Sequence, residues 1–134
     1  MKAKEFLQQI RKIEFEIKMM EREINELYTP ISAVRFDNIP GVPDPDATLH
    51  IVERIGVLQE QYQARVDELL KRRDECVMTI MKIKNNKAAE VLYYRYLDSF
   101  TFGTIARLMK YSKERIFQLH REGLNELDAI LETL

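Results

Sequence analysis

The chain has 134 residues, 32% of them charged, and a formal net charge of −1. That length fits one domain, or a small domain with a long appendage, and the composition excludes a disordered tail. No apolar run approaches the ~20 residues of a membrane helix, and "MKAKEFLQQIRK" is too charged for a signal peptide. A single cysteine, Cys76, permits no internal disulfide, so a cytoplasmic protein with an inert, buried thiol is expected.

The first predicted element is a long helix over residues 1–28. Phe6, Ile10, Ile13, Ile17, Met20, Ile24 and Leu27 alternate spacings of four and three, a heptad seam with charged groups between. A helix with one apolar stripe needs a partner. The prolines Pro30, Pro40, Pro43 and Pro45 and Gly41 then fall within residues 29–48, "TPISAVRFDNIPGVPDPDAT". Proline lacks an amide donor and restricts the residue before it, so this stretch reads as an extended linker, with Phe36 and Ile39 as anchors. A second long helix over residues 49–85 carries Ile51, Ile55, Leu58, Tyr62, Val66, Leu69, Val77, Ile80 and Ile83 as its stripe. Its first part is the natural partner of the first helix in an antiparallel hairpin. The same heptads can also pair between chains as a homodimer.

Residues 86–134 are organised differently. "KNN" at Lys84–Asn86 favours a turn and cap, and a helix follows over residues 87–97, with Val91, Leu92, Tyr94 and Leu97 facing a core. "DSFT" is a turn that places Thr101 as the cap of a short helix, "FGTIARLM". "KY" turns the chain again, and Ser112 caps a last helix from Lys113 to near the end. On that helix Ile116, Leu119, Gly123 and Leu127 form one apolar stripe. Lys113, Glu114, Phe117, Gln118 and Arg121 fall on another face, mixing cations, an amide and an aromatic ring.

Two short helices joined by a tight turn, the second with a polar outer face, make a helix-turn-helix. The small residue required at the crossing is Ala106, and Ile105, Met109, Tyr111, Ile116 and Leu119 supply the apolar positions. Lys110 stands in the turn where glycine is often favoured; a positive φ there costs about 1 kcal/mol. The stretch from Lys82 to Arg121 holds nine cations against three acids, whereas no Lys or Arg follows Glu122. A basic patch is therefore available on a nearly neutral chain.

The segment "YRYLDSFTFGTIARLMKYSKERIFQLHREGLNEL" resembles region 4 of the sigma-70 family, through "RYL", Thr101, Ile105, "SKERIFQ" from Ser112 and "GLNEL". With the long helices ahead of it, the whole is similar to small phage transcription regulators of the ArpU/RinA type. The resemblance implies an all-α fold: a long coiled-coil-like hairpin followed by a three-helix, sigma region 4-like helix-turn-helix domain. It implies double-stranded DNA as partner, with RNA polymerase as a second one. Lys113, Glu114, Phe117 and Gln118 match its base-reading positions. Lys113 suits guanine O6 or N7, Glu114 cytosine N4, and Gln118 adenine. Phe117 departs from the arginine common in that family; a thymine methyl replaces guanine as its counterpart. Thr101, Arg107, Lys110, Ser112 and Arg121 suit phosphate contacts.

The other chemistry is sparse. His50 and His120 lie in different segments with no ligand spacing around them, and no phosphate loop or nucleophile grouping is present. Neither a metal nor another cofactor is expected, nor an enzyme. Tyr93, Tyr94 and Tyr96 read as core and rim. A phage small terminase subunit and a helical adaptor for protein partners are the alternative functions.

Overall fold

A computed structural model describes the backbone of residues 2–36 and 45–134, and the side chains of residues 2–28 and 46–134. The described chain is all-α. Its helices are α1 (Lys2–Phe36), α2 (Pro45–Ile80), α3 (Asn86–Leu92), a π-helical segment (Tyr93–Leu97), α4 (Phe102–Met109) and α5 (Lys113–Glu132). Among the described residues, no helix is long and apolar enough to cross a membrane.

The long helices differ in their bounds from the sequence expectation. Helix α1 continues past Pro30 to Phe36. A proline inside a helix forfeits one hydrogen bond, at about 3 kcal/mol, yet keeps a helical φ, so the helix need not stop there. Helix α2 begins at Pro45, not at Leu49. The first helical position has no intrahelical use for an amide donor, so proline suits it. Ile39, Gly41, Pro40 and Pro43 of the expected linker, and the side chain of Phe36, lie outside the described residues.

The chain forms two compact units, Ile13–Glu68 and Met1–Lys12 with Leu69–Leu134. In the first unit α1 and α2 form the expected antiparallel hairpin. Glu16 pairs with Arg65 at 3.1 Å, Glu21 accepts from the Tyr62 hydroxyl at 2.7 Å, and Gln59 donates to the Tyr28 hydroxyl at 3.1 Å. As the number on α1 rises, its partner's on α2 falls, which defines the antiparallel register. Ile13, Ile17, Ile55 and Leu58 of the two predicted stripes are buried.

The second unit contains the helix-turn-helix, and its core is built from both ends of the chain. Ala3, Leu7 and Ile10 are buried in one cluster with Cys76, Ile80, Ile83, Leu92, Tyr96, Leu97, Leu124 and Leu127. The Ala3 amide also donates to Asp128 Oδ1 at 2.8 Å. Burial pushes the Cys76 thiol up to about 11, with Glu75 adding to the shift, so the thiolate is scarce at neutral pH. Ala88, Val91, Ile105, Ala106, Ile116 and Leu119 form a second cluster.

Specific local chemistry sets the breaks. At the end of α2 the ladder tightens, with the amides of Lys82 and Ile83 donating to the carbonyls of Thr79 and Ile80. Asn85 then caps α3 by accepting from the amides of Lys87 and Ala88, both at 3.2 Å. Carboxylates from α5 hold this corner: Glu126 accepts from the Lys84 amide at 2.6 Å and Glu122 from the Asn85 side chain at 3.3 Å. The predicted helix over residues 87–97 changes to π geometry at Tyr93. The wider turn buries the consecutive side chains of Tyr96 and Leu97, while Tyr94 remains half-buried and Tyr93 exposed.

Two substitutions test this core. A Cβ built on Gly123 meets Leu92 Cδ1 at 3.0 Å, Leu92 Cγ at 3.1 Å and the Ala88 carbonyl oxygen at 3.3 Å. Gly123→Ala is expected to cost about 1–3 kcal/mol, because backbone on one side prevents relaxation, despite alanine's better helix propensity. Leu7→Ala is expected to cost about 2–5 kcal/mol. Urea melts monitored at the Tyr93–Tyr96 aromatics test both, and an unchanged midpoint for Leu7→Ala would separate the start of α1 from this core.

Candidate nucleic-acid interface

Helices α4 and α5 begin at side-chain caps of one design. Thr101 is extended (φ −72°, ψ 156°), and its Oγ1 accepts from the Thr104 amide at 3.2 Å. Ser112 is likewise extended (φ −69°, ψ 158°), and its Oγ accepts from the Arg115 amide at 3.2 Å. Each satisfies one of the amide donors a helix start leaves unpaired. Between them Lys110 adopts φ 59°, ψ 41°, the left-handed turn conformation that favours glycine. The Tyr111 amide donates back to the Ala106 carbonyl at 3.0 Å, closing the turn.

The stripe predicted on α5 is buried throughout: Ile116, Leu119, Gly123 and Leu127. Ile105 and Ala106 of α4 are buried against it, with Met109 half-buried. Tyr111 is not core, being 36% exposed beside a cleft lined by Gly103, Ala106, Arg107 and Lys113. Burying the stripe turns the opposite face outward. Lys113, Glu114, Phe117, Gln118 and Arg121 are all exposed along α5. Thr101, Arg107, Lys110 and Ser112 are exposed at the ends of the helix pair.

Several of these residues are held by neighbours that sequence reading did not single out. Thr104 joins Thr101 through a 2.9 Å hydroxyl contact and accepts from Arg107 Nη2 at 3.4 Å. Arg107 is thereby tethered along α4. Lys113 lies across Gly103: a Cβ there would meet its Cε at 3.5 Å and its ammonium nitrogen at 3.9 Å. Arg115 donates to Gln118 Oε1 at 3.1 Å. This leaves the amide donors of Gln118 for a partner, while paired recognition of adenine requires the second lone pair of that oxygen. The repeat of threonine in "TFGT" and the three-residue spacing of Arg115 and Gln118 are the signals that mark Thr104 and Arg115.

Phe117 packs edge-on against Phe102, with ring centroids 5.0 Å apart. Behind it, the Arg95 guanidinium lies 4.3 Å from the Phe102 ring centroid, and His120 meets the same ring at 5.1 Å. His120 Nε2 hydrogen-bonds the Tyr96 hydroxyl at 2.8 Å. Burial, with Arg95 and Lys4 adding, lowers the His120 pKa from its usual 6.5 to about 4. Burial raises that of Tyr96. Among the described residues, no grouping of three or more His, Cys, Asp or Glu could hold a metal.

Residues 85–129 match the family described as Sigma-70, region 4. This segment is an all-α domain homologous to that region. The presence of this helix-turn-helix fold supports a general role in DNA binding and transcription regulation. The match begins at the cap of α3 and ends within α5, so α1 and α2 lie outside it. No curated protein and no solved structure gives a significant match to the chain.

The His120 shift makes stability depend on pH in a defined window. Between pH 6.5 and 4 the unfolded imidazole takes up a proton that the folded one refuses. His120 is therefore expected to cost stability progressively as pH falls through that window, with no further change below 4. Unfolding free energies of the wild type and His120→Gln measured from pH 7.5 to 4 isolate this contribution from the carboxylates. Parallel curves would contradict it.

Proposed function

We propose that the protein is a sequence-specific regulator of transcription that binds double-stranded DNA through α4 and α5. In this reading α5 enters the major groove, with Lys113, Glu114, Phe117 and Gln118 at the base edges. Thr101, Arg107, Lys110, Ser112 and Arg121 lie at the phosphates. The observation that carries it is the exposure of all nine side chains around a buried stripe, in the segment that matches sigma-70 region 4. The two capped starts reinforce it, since helix N-termini favour phosphate oxygens.

The finer identity is a cytoplasmic phage regulator of the ArpU/RinA type. A sigma-like helix-turn-helix preceded by two long helices supports it. RNA polymerase is a second partner in this reading. The hairpin serves as a dimerisation or polymerase-contact element, and the exposed Phe15, Met19, Leu49 and Val52 on its helices support that use.

Selection of bound duplexes from a random pool tests the DNA reading. One enriched motif is expected, and its symmetry reports the oligomer. Lys113→Ala and Gln118→Ala should each relax preference at one base position, at a cost of about 1–3 kcal/mol. Arg121→Ala should weaken binding to all duplexes alike and make the slope of log K against log salt shallower by about 0.9. Salt-insensitive binding by every variant would remove the DNA reading. Ring-shaped oligomers in solution would favour a DNA-packaging subunit over a regulator.

A further inference from the structure

Phe117 is 45% exposed in the middle of a polar helical face, yet its ring is not loose. Its edge-to-face contact with Phe102, at 5.0 Å and 63°, fixes one side of it. Phe102, the first residue of α4, is half-buried against the core cluster of Ile105, Ile116 and Leu119. Two further groups hold the Phe102 ring, the Arg95 guanidinium at 4.3 Å and the His120 ring at 5.1 Å. Arg95 is itself anchored, since its Nη1 donates to the Phe100 carbonyl at 3.1 Å. The chain of contacts runs from the backbone ahead of α4, through Arg95 and Phe102, to the aromatic on the outer face of α5.

A rigid apolar ring has only one apolar feature to meet on the floor of the major groove, the 5-methyl group of thymine. The neighbouring readers Lys113, Glu114 and Gln118 are polar and address donors and acceptors. We propose that Arg95 and Phe102 are positioning residues that hold Phe117 as a rigid reader of one thymine methyl. This rests on the DNA-binding reading above and adds to it the support that makes the Phe117 contact a rigid one. Holding the ring in the free protein lowers the ordering cost at binding, so the methyl contact discriminates instead of merely filling space. Cation–π and edge-to-face contacts supply the support.

The test leaves the protein intact. In the duplex enriched by selection from a random pool, each thymine is replaced in turn by deoxyuridine, which removes only the methyl group. One position is expected to weaken wild-type binding about fourfold, the equivalent of ~0.8 kcal/mol for one buried carbon group. In Phe117→Ala that thymine-over-uracil ratio should fall to one. In Phe102→Leu and Arg95→Gln it should fall toward one, while the salt slope and the binding to a scrambled duplex stay at wild-type values. A merely structural role would move those two readouts as well. Preference for the enriched duplex without any thymine-sensitive position would overturn the proposal and leave the DNA reading standing. So would a thymine sensitivity that survives in Phe117→Ala. No binding to any duplex would overturn both.

Discussion

Gly123 sets how closely α5 can approach α3, and the aim of the outer face follows from that approach. The absent side chain admits Leu92 and the Ala88 carbonyl so closely that a Cβ would meet them at 3.0–3.3 Å, tighter than ordinary contact. Ala88 belongs to the cluster shared with Ile116 and Leu119, and Leu92 to the one shared with Leu124 and Leu127. The crossing therefore sits where the two clusters meet. Once it fixes the roll of α5, Lys113, Glu114, Phe117, Gln118 and Arg121 have no choice but solvent. Specific recognition needs this kind of rigidity, since side chains presented by a rolling helix would sample several registers on a duplex.

Charge is handled locally along the same surface. The protein as a whole is nearly neutral, but its cations are not spread evenly. Arg115 is turned to Gln118, Arg107 to Thr104 and Arg95 to Phe100 and Phe102, so several cations hold their neighbours in place. Arg121 and Lys110 stand on the exposed surface beyond them. Acids are used in the same way on the inner side of α5, where Glu122 and Glu126 fasten the corner before α3. A single helix thus separates an anchoring side from a presenting one.

What the sequence made legible was what depends on near neighbours. The three-and-four spacing of Ile10, Ile13 and Ile17, and of Ile116, Leu119 and Leu127, marks burial because one helix face repeats locally. Asn85, Thr101 and Ser112 are recognisable caps because a short side chain reaches its own backbone. Lys110 stands in the turn where glycine is often favoured, and it takes a left-handed φ. Helical periodicity marked Lys113, Glu114, Phe117, Gln118 and Arg121 as one outer face, and resemblance assigned the roles of all nine site positions. The π-helical turn at Tyr93–Leu97 was not legible, because nothing in "YYRYL" distinguishes it from an α-helix until Leu97 must meet its long-range partners. The clamp on Phe102 was hidden for a similar reason. Arg95, Phe102, Phe117 and His120 come from three elements, and no local pattern joins them.

The participation of Ala3, Leu7 and Ile10 in the core under α5 makes the helix-turn-helix unit discontinuous in the chain. The contact between Ala3 and Asp128 spans nearly the whole sequence, a separation of 125 residues. On a ribosome, the segment around Leu7 is made well before the stripe that buries it, which ends at Leu127. The apolar face of α1's first turns must then wait, uncovered by its final partner, until α5 has been made. Assembly of the helix-turn-helix unit therefore waits until α5 has been made and has met the first turns of α1.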